Sequence, residues 1–185
     1  MQKVNVIRNS PPAPRPLLVP GVAGAATLVP CLLFGNAAFL TWLGSRAAWL
    51  TLPTSLGVPF AFPRLSLTTL VGQPGWHLAT ELLAVAVLAA VTARRVHRAR
   101  RARPGANAWR TLLSAWSGVA LGLALANALR ASAAVLAVGA GPAALFSYAL
   151  AGALTGLLWA VCLGWVCAVP AALTHRLTRP EAVTH

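Results

Sequence analysis

The sequence predicts an all-α membrane protein, a four-helix transmembrane bundle with both termini cytoplasmic, and three observations predict it. Apolar residues make up 58% of the 185-residue chain and charged residues only 9%, whereas a soluble fold of this size needs far more charge to cover its surface. The apolar residues gather into four runs, each long enough at ~1.5 Å per residue to cross most of a ~30 Å hydrocarbon layer. The basic residues stand at the ends of those runs, above all in the block RRVHRARRAR at 94–103, which lipid will not accept and which therefore marks the cytoplasmic side.

Residues 1–16 read as a cytoplasmic Pro-rich tail: four prolines between Pro11 and Pro16 exclude a helix and favour an extended segment. The first span covers 17–43. Pro20 suits its first turn and Pro30 should kink it. A secretory signal is the alternative reading of this start, but the apolar run outlasts a signal core, and Pro30 in LVPC stands where a lipoprotein cleavage box needs a small residue.

Residues 44–75 form an irregular outer loop or lid. Pro53, Pro59, Pro63 and Pro74 break any spanning helix there. Bare irregular backbone cannot face lipid, so the loop is expected at the outer interface with Trp49, Phe60 and Phe62 as anchors. A re-entrant hairpin packed against protein is the minority alternative.

The second span, 76–93, leads into the basic cytoplasmic loop 94–110. The third, 111–140, is uninterrupted to Leu129, beyond which ASAAVLAVGAG either extends the helix or folds at the interface. The fourth, 142–173, opens on a proline and closes near Pro170, followed by the cytoplasmic tail 174–185. Gly118–Gly122 and Gly152–Gly156 are small-xxx-small steps that let helices approach, a weak signal in so Gly-rich a chain. Cys31, Cys162 and Cys167 all fall in apolar runs, with no CxxC or zinc spacing, and read as buried, reduced packing residues.

This layout puts twelve of the fifteen Lys and Arg on the cytoplasmic side, as the positive-inside rule demands; a five-span layout would place a basic group outside. The net charge of +13 does not indicate nucleic acid, because the arginines flank apolar runs instead of forming a solvated patch. Anionic lipid headgroups at the basic loop are the cheaper partner.

Glu81 is one of only two acidic residues, and it lies inside the second span, roughly 20 Å above the inner boundary. Asn127 and Arg130 lie roughly 25–30 Å up the third span, with Asn36 and Tyr148 at similar heights in the first and fourth. His77 and Glu81 share a helix face at i, i+4, and Asn127 and Arg130 share one at i, i+3. A buried carboxylate seeks a cation, so a Glu81–Arg130 pair is expected with His77 and Asn127 as hydrogen-bonding neighbours. Glu81 and His77 are the candidate acid/base groups, because imidazole changes charge near neutral pH. Arg130, Asn127, Asn36 and Tyr148 are the candidate substrate-binding groups.

The chain has no aspartate, so Asp-rich magnesium motifs for diphosphates are missing, and no HExxH, P-loop or GxSxG occurs. No metal site and no cofactor are expected. The sequence reads as a small multi-pass protein of the inner (cytoplasmic) membrane, in keeping with a high-GC bacterial coding style. It is an accessory or structural component or a small-solute carrier, working in a larger membrane complex or a homo-oligomer. The alternative is a metal-free intramembrane acid/base enzyme, an isomerase or cyclase acting on a lipophilic substrate such as an isoprenoid.

Overall fold

The computed structural model describes residues 17–55, 58–66 and 74–178. The Pro-rich tail and the end of the chain, with Arg179 and Glu181, lie outside the described residues, as do parts of the 44–75 loop. Seven α-helices occur among the described residues: α1 (Leu18–Ala26), α2 (Leu28–Gly35), α3 (Ala37–Arg46), α4 (Leu52–Ser55), α5 (Gly75–Ala102), α6 (Ala108–Ala137) and α7 (Pro142–Leu177), with a 3-10 turn at Ala48–Thr51. Among the described residues four stretches are long and apolar enough to cross a membrane: 18–35, 75–102, 108–137 and 142–177. The chain is thus a multi-pass membrane protein whose described residues hold helices and no strand.

The first span is shorter than expected and broken twice. Pro30 lacks the amide that would bond to Ala26, and its ring crowds that carbonyl; the helix accordingly breaks at Thr27, whose hydroxyl donates to Gly24 O at 2.7 Å. A second break falls at Asn36. Its extended backbone ends α2, and its side chain accepts from the amides of Ala38 and Phe39 to cap α3, the favoured use of asparagine at a helix start. α3 buries no residue. The expected single span 17–43 is therefore a membrane helix to Gly35 followed by a separate helix.

α5, α6 and α7 are continuous, and two of them outrun their expected limits. The arginine block is not a loop: α5 runs through it to Ala102, leaving a tight turn before Asn107, whose side chain caps α6. α7 continues past Pro170 to Leu177. His175, near its end, is tied to Ala106 O in the α5–α6 turn at 2.9 Å. The ASAAVLAVGAG stretch extends α6 to Ala137.

The spans form a ring in which α6 packs on α5 and α7, and α1 packs on the same two from the opposite side. Small residues make the seams. A Cβ placed on Gly118 would lie 3.1 Å from Thr92 Cα on α5, and one on Gly122 would lie 3.0 Å from Leu88 O. Added to Gly152 or Gly156 it would come within 2.5 Å of the carbonyl oxygens of Asn127 and Leu123 on α6. Both small-xxx-small steps are therefore helix–helix contacts, as close packing in lipid requires. Apolar side chains such as Leu125, Leu154, Leu158 and Val166 cover the outside. Cys162 is among the outward-facing residues, which corrects its expected burial; Cys31 and Cys167 are buried.

Two buried clusters fill the bundle. Val19, Ala23, Val96, Ala115, Ala168 and Ala171 pack near the arginine end. The larger cluster, built on Phe34, Leu88, Val119, Leu123 and Ala160, also contains Phe60, Ala61 and Phe62 from the loop.

Candidate functional site

The described 58–66 segment of the Pro-rich loop turns into the bundle. Phe60, Ala61 and Phe62 are 8%, 0% and 0% exposed, and Phe34 lies 5.8 Å from Phe60 and 6.0 Å from Phe62, with Trp159 of α7 5.1 Å from Phe60 between ring centroids. The expectation that Phe60 and Phe62 anchor an interfacial loop is thus corrected; only Trp49 is exposed. Burial of irregular backbone requires that its polar groups be met internally. Pro59 and Pro63 bring no N–H to satisfy. The Leu65 amide donates to Cys31 O on α2 at 2.9 Å, an approach that Gly35 permits, since a Cβ there would lie 2.5 Å from Leu65 O.

The remaining contacts of the loop build the site. The Arg64 amide donates to Glu81 Oε2 at 2.6 Å. The other oxygen, Oε1, accepts from Arg130 Nε at 2.7 Å. Arg130 Nη1 donates to Asn127 Oδ1 at 2.7 Å, and Asn127 Nδ2 donates to Ala61 O at 3.1 Å. The circuit begins on the loop at Arg64, crosses α5 and α6, and returns to the loop at Ala61. Ala61 holds φ of 53°, a left-handed conformation that costs a non-glycine residue about 1 kcal/mol or more. The buried phenylalanines on either side and the Asn127 contact offset that cost.

The local sequence explains the placement. Glu81 lies on the second turn of α5 and Arg130 about two turns before the end of α6, so in antiparallel neighbours both sit ~10 Å from the same end of the bundle. Glu81, Asn127 and Arg130 are 4%, 0% and 9% exposed, and hydrogen bonds to charged groups in such surroundings are worth about 1.5–3 kcal/mol each.

Of the other expected members, His77 borders the site without joining the circuit, and Asn36 and Tyr148 stand apart. His77 Nε2 is 3.9 Å from Glu81 Oε1, beyond hydrogen-bonding distance. Asn36 is exposed and engaged as a helix cap, and Tyr148 is exposed on α7, so neither joins the cluster. Arg64, not among the expected site residues, enters through its backbone amide, and Ala61 through its carbonyl. Backbone roles of this kind leave no mark in a list of polar side chains.

Beside the circuit lies a cavity of about 300 Å³, whose lining includes Thr54, Phe60, Arg64, His77, Thr80, Glu81 and Arg130, at the lower end of the range for small-molecule pockets. Among the described residues two guanidinium groups and one imidazole thus border it against a single carboxylate. Burial pushes the Arg64 guanidinium below its ordinary pKa, Glu81 opposes the shift and Arg130 adds to it; an arginine so placed nevertheless stays a cation. Among the described residues, no group of three His, Cys, Asp or Glu side chains is placed to hold a metal ion.

Comparison of the chain with protein-family models, with curated proteins and with solved structures finds no match.

Proposed function

We propose that this chain is a membrane-embedded structural or accessory component, and that the Glu81–Arg130–Asn127 circuit is a clasp holding the re-entrant loop in the bundle. One observation carries the reading. Both carboxylate oxygens of Glu81 are committed to donors from two different elements, Arg130 of α6 and the Arg64 amide of the loop. Taking a proton would cancel the charge that Glu81 sets against the buried Arg130 cation and so weaken the clasp, which weighs against the acid/base enzyme.

A carrier needs a path from both faces to its site. Toward the arginine end, the circuit is followed by Val85 and Leu88 on α5 and by Leu123 and Ala126 on α6, all buried and apolar. This supports a site open to one side only. Positive-inside asymmetry favours an arginine end facing the cytoplasm of a bacterial inner membrane, with the cavity toward the outer face.

Reconstitution into sealed vesicles tests the choice. With a pH gradient imposed, vesicles containing the chain are expected to lose it no faster than empty ones. Dissipation several times faster, abolished by Glu81→Gln, would establish a proton-linked carrier and overturn the structural reading.

A further inference from the structure

At the other end of the bundle a second cavity, of about 230 Å³, lies between the end of α5 and the start of α6. Arg100, Arg103 and Arg110 line it, with Thr111 and Ser114. Among the described residues no acidic side chain borders it. The two hydroxyls donate to helix carbonyls, Thr111 to Asn107 O and Ser114 to Thr111 O, so the guanidinium groups supply the donors that face the cavity. Nη1 of Arg100, on a side chain that lines the cavity, is itself buried and has no hydrogen-bond partner among the described residues. A buried donor that no protein group meets is costly, the more so on a charged group, and an anion nearby lowers that cost.

The sequence concentrates seven arginines between Arg94 and Arg110, yet only three of them converge here. Arg94, Arg98 and Arg101 are exposed on the same helix outside the cavity. The start of α6 adds the positive end of its dipole. Trp109, 58% exposed beside the pocket, is the residue type that settles at headgroup depth.

We propose that this cavity is a phosphate-binding site, with Arg100, Arg103 and Arg110 gripping the oxygens of one phosphate group. Forked guanidinium donors match that geometry. The phosphate comes from an anionic lipid headgroup or from free phosphate in solution. The inference is independent of the clasp, which lies at the opposite end.

The test is the melting midpoint of the full chain in neutral detergent, with phosphatidylglycerol added, or inorganic phosphate against chloride at equal ionic strength. At roughly a hundredfold excess over the dissociation constant the bound species is expected to raise the midpoint by about 5 °C or more. A rise with phosphatidylglycerol alone identifies the lipid source, and a rise with inorganic phosphate the soluble one. Arg100→Gln combined with Arg110→Gln should abolish the rise, while the charge-matched pair Arg98→Gln with Arg101→Gln should keep it. The proposal fails if neither probe raises the midpoint, or if both double variants respond alike, since the attraction would then be one of net charge without a site.

Discussion

Glu81→Gln is expected to lower the melting midpoint of the purified chain by about 10 °C. The substitution leaves Arg130 as a buried cation without a counter-charge, a change that costs about 3–5 kcal/mol in protein interiors, and each kcal/mol moves the midpoint of a chain of this size by about 2–4 °C. Arg130→Gln should cost a similar amount from the other side, by leaving the carboxylate with only the Arg64 amide. The informative variant is the double one. Glu81→Leu with Arg130→Met removes both charges together and fills the space with apolar atoms, so it should be more stable than either single variant, as replacements of whole buried pairs often are. Thermal melting in detergent of the two singles and the double reads the coupling directly. Two single losses that merely add in the double would show that the residues act independently.

The second large effect belongs to the α6–α7 seam. A Cβ on Gly156 would stand 2.5 Å from Leu123 O and 2.7 Å from its carbonyl carbon. Backbone atoms of a neighbouring helix cannot rotate away as a side chain can, so Gly156→Ala must push the two helices apart. A loss of about 2–3 kcal/mol is expected, in the upper part of the range for overpacked cores. Gly21→Ala is the matched control. It also lies mid-helix, yet a Cβ there would meet nothing within 4 Å, so removing a helical glycine should be neutral or gain up to about 1 kcal/mol. Opposite signs for the two glycines, read as melting midpoints in one detergent, would tie the effect to helix contact. Equal shifts would tie it to helix propensity alone.

The long spans were legible because length and apolarity decide them, and the meeting of Glu81 with Arg130 was legible because one acid and one base at matching depth have few other partners. Periodicity also put Asn127 on the face of Arg130. What escaped the sequence was the loop. The run VPFAFP at 58–63 suits an interfacial anchor and a buried plug equally well, since phenylalanine serves both. The choice rests on backbone hydrogen bonds to Glu81, Asn127 and Cys31 that no residue type announces. In hindsight the prolines were informative twice over, because the feature that forbids a helix also removes amides that burial would strand. Asn36 misled for a related reason. Its depth matched the polar cluster, but with helix breaking just before it, its side chain found two orphan amides of α3 closer at hand.

The arginine block shows a different limit. Charge density marked it as lying outside the lipid, and that criterion says nothing against helix. Arginine is in fact a good helix former, so α5 runs on through the block and orders the side chains along its surface.

The central claim, that a clasp of buried polar groups holds irregular backbone inside a membrane bundle, is tested most directly by deuterium exchange of the 58–66 segment in the intact detergent-solubilised chain. The clasp predicts protection of the Arg64 and Leu65 amides comparable with that of α5 and α6, and its loss at Arg64 in Glu81→Gln while those helices stay protected. Complete exchange of the segment within seconds in the native chain would place the loop in water and contradict the account.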